Sequence, residues 1–210
     1  GMLTGALAAF GAGAAEAVGS GWIIPHVWVR VALGTLMAAT LNAASNVLNQ
    51  VHDLEIDRIN KPGRVLPRGL LSAAQASRFS LILYVAAVAL SVLAGWACAA
   101  IVAVTALLTW AYSAPPLRLK RLLIVSNLTI ALPRGMLLKV AGWSAAGSIL
   151  AWEPWFIGLI FGVFVLGAVS TKDFADVAGD RRCGCVTLPI RLGERRAALV
   201  IAPFFFAPSL

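Results

Sequence analysis

Long apolar runs recur along this chain, and the loops between them alternate between strongly basic and empty of Lys and Arg. The runs cover about residues 2–20, 28–57, 73–94, 97–113, 122–143 and 155–177, and a seventh begins at Ala197. A helix crosses the hydrocarbon core of a bilayer with about 20 apolar residues. A crossing segment must satisfy its own backbone hydrogen bonds, which leaves helices or closed barrels. Runs of this length without period-two alternation predict helices. The 210 residues are 60% hydrophobic and only 12% charged, against roughly a quarter charged in soluble domains. The expectation is an all-α polytopic membrane bundle of about seven helices, one transmembrane domain over residues 1–210. The first run opens abruptly at Gly1-Met2, and the seventh stops at Leu210 after about half to two-thirds of a span. A fragment is expected, cut at the C-terminus and slightly at the N-terminus.

The net charge of +8 follows membrane topology better than nucleic-acid binding, because no separate basic domain exists. Arg58, Lys61, Arg64, Arg68, Arg118, Lys120, Arg121, Arg181, Arg182, Arg191, Arg195 and Arg196 all fall in the loops after helices two, four and six. Positive loops stay cytoplasmic, so these loops are expected on the cytoplasmic side. Trp22, Trp28, Trp96, Trp143, Trp152 and Trp155 fall at the opposite helix ends, as an interfacial aromatic belt would. Cys98, Cys183 and Cys185 have neither a CxxC nor a zinc spacing and read as structural. The N-terminal run lacks the basic n-region of a signal peptide.

Chemistry concentrates where the second run ends. Asn42, Asn46, Asn49, Asp53 and Asp57 are spaced four, three, four and four apart, so a helix carries them on one face. Two carboxylates one turn apart, with an amide oxygen a turn before, suit a hard cation such as Mg²⁺, which completes its shell with water and phosphate oxygens. Arg58, Lys61, Arg64 and Arg68 follow at once, and fixed cations suit a polyphosphate. A second acidic set, Asp173, Asp176 and Asp180, closes helix six at spacings of three and four. Such carboxylates repel one another until a cation neutralises them. Loop parity puts both sets on one membrane side. Together they make a site where more than one Mg²⁺ bridges a diphosphate and stabilises its departure from an allylic carbon.

Three segments carry a family resemblance. Asn49-Gln50-Val51-His52-Asp53-Leu54-Glu55-Ile56-Asp57, followed by Arg58-Ile59-Asn60-Lys61-Pro62, resembles the first signature of the UbiA-type intramembrane prenyltransferases. Asp173-Phe174-Ala175-Asp176-Val177-Ala178-Gly179-Asp180-Arg181, with Thr187-Leu188-Pro189 after it, resembles the second, and Tyr112-Ser113-Ala114-Pro115-Pro116 through Lys120 resembles the loop between them. The resemblance spans roughly residues 28–193. It implies a barrel-like helical bundle around a cavity capped by the motif loops and open sideways to lipid. The implied activity moves a prenyl group from an isoprenyl diphosphate to an aromatic or lipid acceptor. Carried onto this chain, it makes Asn49, Asp53, Asp57, Asp176 and Asp180 ligands of Mg²⁺, with Asp173 as a further candidate. It assigns Lys61, Arg64, Lys120 and Arg181 to the diphosphate and puts Tyr112 near the reacting carbon. Gln50 departs from the Asp common in the family, and of the usual nine helices the last two and part of the seventh are missing. The Asn-Gln…Ile-Asn-Lys-Pro wording resembles homogentisate prenyltransferases; the Tyr-Ser-Ala-Pro-Pro-Leu-Arg-Leu-Lys loop resembles chlorophyll synthases. Ether-lipid enzymes share parts of both. The oligomeric state stays open.

Some residues have plainer readings. Asp173 is either a metal ligand or a partner for Lys172 or a loop Arg. Arg195 and Arg196 are expected to serve topology only. Arg134 and Lys139 lie at membrane depth in helix five, where a cation is a functional candidate; Arg134 is expected at the cavity, and Lys139 is expected to snorkel to the far interface. His52 falls off the acidic stripe and is expected at an interface. Asn127 is expected to hydrogen-bond between helices, and Phe204–Phe206 to face lipid. A transporter relaying ions through the carboxylates is the alternative. It explains intramembrane acids but not two acidic sets on one side beside basic loops.

Overall fold

The computed structural model of the protein describes the backbone of residues 2–19 and 26–206 and the side chains from residue 10 onward. The described residues are helical, with no strand among them. The helices are α1 (Met2–Gly19), α2 (Val27–His52), α3 (Leu54–Asn60), α4 (Ala73–Ala94), α5 (Trp96–Ser113), α6 (Leu123–Ala131), α7 (Leu138–Trp143), α8 (Glu153–Thr171), α9 (Val177–Arg182), α10 (Leu188–Leu192), α11 (Glu194–Ile201) and α12 (Pro203–Phe206). Five stretches are long and apolar enough to span a bilayer: α2, α4, α5, the α6–α7 unit and α8 with its terminal turn. Trp22 and the end of the seventh run lie outside the described residues.

Where local signals were strong, the boundaries agree. Ser72 accepts a hydrogen bond from the Gln75 backbone N–H at 3.2 Å, and the Gln75 side chain accepts from the Ser72 N–H at 3.0 Å, a reciprocal cap that starts α4. Gly95 turns the chain from α4 into α5 at φ +144°, a conformation glycine adopts readily. Arg30 seals this turn by donating to the Ala94 carbonyl at 2.5 Å.

Three expected helices are broken. Helix two does not continue to Asp57: Asp53 sits at φ −101°, ψ 12°, separating α2 from α3. Its N–H still donates to Asn49 O at 2.9 Å, and the Asp57 N–H donates to Asp53 O at 2.7 Å, so the acidic spacing survives the break. Helix five is three pieces, because Pro133 lacks an N–H and Leu132–Leu137 widens into a π-helix between α6 and α7. Helix six leaves α-helical geometry at Thr171, passes through a 3₁₀ turn over Lys172–Phe174 and restarts as α9. The seventh run also divides, at Ala202 before Pro203.

The core lies where α1, α2, α5 and α7 meet. Phe10, Met37, Val102 and Val140 are fully buried there, with Leu41, Ile101 and Leu138 against them. Close helix approach needs small residues: a Cβ on Gly13 would strike the Lys139 carbonyl, and one on Gly142 would strike the Phe10 carbonyl. Leu81, Ile82, Val85 and Leu93 on α4, with Leu107 on α5, point outward, as lipid-facing positions do. Asn127 donates to Ser170 Oγ at 2.7 Å, tying α6 to α8.

Two side-chain expectations are corrected. Lys139 does not snorkel. It is 4% exposed on α7, 3.5 Å from Glu16 Oε1 on α1 and 3.6 Å over the Phe161 ring. A carboxylate and an aromatic face inside the bundle hold it where the interface would otherwise draw it. Trp143 is 2% exposed, packed with Ala17, Val27 and Ala146 instead of joining the aromatic belt. Trp28, Trp96, Trp152 and Trp155 remain exposed.

The α1–α7 contact yields a prediction. Gly142→Leu should wedge the helices apart and cost about 1–3 kcal/mol, read as a lower melting temperature in detergent micelles. Unchanged melting would show that this contact does not hold α1.

Candidate active site

The acidic residues sit at helix ends, because α2 stops before Asp53 and α8 after Thr171, and the short helices α3 and α9 follow. α3 and α9 pack against each other there. Asn60, at the end of α3, straps the two motifs. Its amide donates to the Asp176 carbonyl at 3.0 Å, and its Oδ1 accepts from the Gly179 N–H at 2.9 Å. Gly179 must be small, because a Cβ would collide with the Asn60 amide.

The strap closes a polar pocket of about 260 Å³ whose lining includes Asn49, Asp53, Asp57, Asp173, Asp176 and Asp180, together with Lys61, Arg64, Tyr112, Lys120 and Lys172. Thus both acidic sets face one chamber. Three of the carboxylates are already paired. Lys120 Nζ is 2.5 Å from Asp53 Oδ2, Arg64 Nη1 is 2.6 Å from Asp57 Oδ2, and Lys61 Nζ stands 2.6 Å from both oxygens of Asp176. Arg118, read from sequence only as a loop cation, donates to the His52 carbonyl at 2.7 Å and lies 3.7 Å from Asp53 Oδ1. Asp173 and Asp180 have no ion pair within 4 Å among the described residues. Asp173 is not taken up by Lys172, whose ammonium donates to the Tyr112 hydroxyl at 3.1 Å. Burial pushes the Asp180 carboxyl above the ordinary carboxylate range; Lys120 opposes the shift, while Asp176 and Asp53 add to it.

Arg181 stands apart. It is exposed on α9 and outside the pocket lining, so its side chain is not with the other expected diphosphate-binding residues. Asn60 and Lys172 lie within or beside the motifs, yet their roles were not legible, because both depend on partners more than 50 residues away.

The donor set fits a divalent hard cation. Five carboxylates and an amide oxygen face one pocket, and Asp53 Oδ1 is buried with no hydrogen-bond partner. As they stand, no three acidic, His or Cys side chains among the described residues are grouped closely enough to hold a metal. Asp53, Asp57 and Asp176 are instead each paired with a Lys or Arg.

A second cavity, of about 410 Å³, adjoins the polar pocket, and Asn49, Tyr112 and Lys172 line both. Its walls are mainly apolar, with Asn42 and Asn46 continuing the stripe of α2. Arg134 faces this cavity, as expected, and donates to Asn46 Oδ1 at 3.1 Å. A charged head over the polar pocket and a greasy tail in the second cavity would suit an amphiphilic ligand.

Comparison with known proteins gives the same picture. The sequence profile of the UbiA prenyltransferase family matches residues 4–210. The digeranylgeranylglyceryl phosphate synthase of Sulfolobus acidocaldarius is 31% identical over 192 residues, covering 90% of this chain and 68% of that protein. The synthase of the same name from Natronomonas pharaonis is 33% identical over 193 residues, covering 89% of this chain and 65% of that protein. The chain thus spans about two-thirds of the length of these curated relatives. Among solved structures, a UbiA homolog from Archaeoglobus fulgidus bound to DMAPP and Mg²⁺ superposes with a TM-score of 0.79 at 20% identity, covering 99% of this chain and 70% of that one.

The strap makes its own prediction. Asn60→Ala removes two part-buried hydrogen bonds and should cost about 1–3 kcal/mol, read as a lower melting temperature. Asn60→Asp retains the acceptor for Gly179 and should recover part of the loss. Equal melting of all three proteins would show that the strap carries no stability.

Proposed function

Because the chain belongs to the UbiA prenyltransferase family, we propose that it transfers a prenyl group from an isoprenyl diphosphate to a lipid acceptor of the glyceryl phosphate kind, in a reaction dependent on Mg²⁺. It is an all-α integral membrane protein. The observation that carries the proposal is the convergence of both acidic sets on one pocket that opens into an apolar cavity. The relatives named digeranylgeranylglyceryl phosphate synthase support the acceptor class. The charge of the loops after α2–α3, α5 and α8 supports a cytoplasmic position for the pocket.

In this reading Asn49, Asp53, Asp57, Asp173, Asp176 and Asp180 would hold the divalent cation. Bound there, it supplies positive charge to a diphosphate leaving group. The chain's own residues do the rest. Lys61, Arg64 and Lys120, released from their carboxylates, offer donors to the diphosphate oxygens. The allylic C–O bond breaks, its electron pair leaves with the diphosphate, and the acceptor hydroxyl oxygen bonds the allylic carbon while its proton passes to an oxygen of the departing diphosphate. Tyr112, whose hydroxyl accepts from Lys172 and whose ring centroid lies 5.5 Å from that ammonium, lines both chambers, and its ring would contribute to stabilising positive charge on the reacting carbon. The apolar cavity excludes water from that carbon.

Asp53→Ala and Asp180→Ala should each lower prenyl transfer and diphosphate release by at least about 100-fold, measured in the detergent-solubilised protein with geranylgeranyl diphosphate and an alkylglycerol phosphate. Chelation by EDTA should do the same, with recovery on adding Mg²⁺. Full turnover in either variant would overturn the shared-pocket chemistry. Carboxylate-dependent ion flux in proteoliposomes without diphosphate release would favour the transporter instead.

A further inference from the structure

The two chambers differ in charge as well as in polarity. Five carboxylates line the polar pocket, whereas the lining of the apolar cavity has two cations, Arg134 and Lys172, and no carboxylate. Arg134 is the deeper of the two. It comes from the π-helical segment Leu132–Leu137, where Pro133 breaks the helix, and its guanidinium reaches Asn46 Oδ1 at 3.1 Å. Asn42, one turn further along α2, lines the same cavity at 9% exposure, and its Nδ2 is buried with no hydrogen-bond partner. Among apolar walls, a guanidinium and an unsatisfied amide donor suit an anion far better than a prenyl chain, which makes no hydrogen bonds.

Position separates this set from the donor's diphosphate. An α-helix rises about 1.5 Å per residue, so Asn46 lies roughly 10 Å along α2 from Asp53. A nucleophile has to come within about 3–3.5 Å of the reacting carbon. The remaining distance matches a small polyol between that nucleophile and an anionic group at Arg134. An aromatic ring with no charge, or a neutral lipid, would bring no negative charge to the Arg134 guanidinium and would leave the Asn42 amide donor unsatisfied.

We propose that Arg134, with Asn42, forms a subsite for the phosphate monoester of the acceptor lipid, and that it selects phosphorylated acceptors over neutral ones. The inference deepens the prenyl-transfer reading and relies on it only for where the donor binds. Arg134 is cast as a specificity-determining residue and takes no part in breaking the donor's C–O bond.

Equilibrium binding to the detergent-solubilised protein tests this without turnover, using intrinsic tryptophan fluorescence or calorimetry. The probes are an alkylglycerol phosphate, the neutral alkylglycerol of the same chain length, an alkyl-substituted hydroxybenzoate and geranylgeranyl diphosphate. Arg134→Met should weaken the phosphorylated alkylglycerol at least tenfold and change the affinities for the neutral alkylglycerol and the diphosphate less than twofold. Arg134→Lys should recover part of the loss. Asn42→Asp, which puts a carboxylate into the cavity while keeping side-chain size, should reproduce the selective loss and covers the case in which Arg134→Met does not fold. Unchanged phosphate affinity in these variants, an equal loss for the diphosphate, or tighter binding of the hydroxybenzoate than of the phosphate would each overturn the subsite. Failure of the wild-type protein to release diphosphate would instead overturn the prenyl-transfer reading, and the binding comparison would still decide the subsite.

Discussion

The fold depends on charge neutralisation at one end of the helical bundle. Five aspartates face a pocket shared by segments that lie more than a hundred residues apart, and isolated negative charges there would repel one another and resist burial. Lys120, Arg64 and Lys61 answer three of them at 2.5–2.6 Å. Each cation comes from a loop, so the pairs also fix loops that have little apolar area to bury. Lys61 reaches from the first motif to Asp176 of the second, and the Asn60 strap lies beside it. Pairing and strapping together bring both acidic sets over one chamber. Buried pairs of this kind contribute less to net stability than to a single arrangement.

This arrangement accounts for the absence of a tight cluster of metal ligands among the described residues. Three of the five carboxylates, Asp53, Asp57 and Asp176, are paired with Lys or Arg. In the proposed reaction Lys61, Arg64 and Lys120 would be the donors to phosphate oxygens, and the aspartates they now pair would be the ones to hold a divalent cation.

How much of this was legible in the sequence follows from the range of each interaction. The bounds of α4 and α5 rest on neighbours within a turn or two, and the structure reproduces them. The acidic stripe was legible for the same reason, since hydrogen bonds at Asp53 and Asp57 preserve its period through the break. The break itself was not, because nothing in Val51–Leu54 forbids a helix; the packing of α3 on α9 selects it. Lys139 was misread because Glu16 and Phe161 lie more than 20 residues away on either side. Trp143 was misread because helix ends carry both interfacial and packed tryptophans, and small neighbours such as Ala17 and Ala146 admit it to the interior. The π-helical segment was half legible, since Pro133 announced a disturbance but not its form.

That segment ties the local irregularity to the chemistry. A regular helix through Pro133 would clash with the carbonyl one turn back and lack a hydrogen bond. Widening the turn over Leu132–Leu137 accommodates the ring, and within that widened turn Arg134 reaches the polar face of α2. On the other side Gly135 lies so close to the backbone of Phe161 and Gly162 on α8 that it has no room for a larger residue without movement. The backbone distortion and the glycine contact therefore locate a cation at membrane depth, where it would be costly unless hydrogen-bonded. Asn46 bonds that cation, and Asn49 one turn on lines both chambers. One polar face of α2, carrying Asn42, Asn46 and Asn49, thus runs from the apolar cavity to the edge of the acidic pocket.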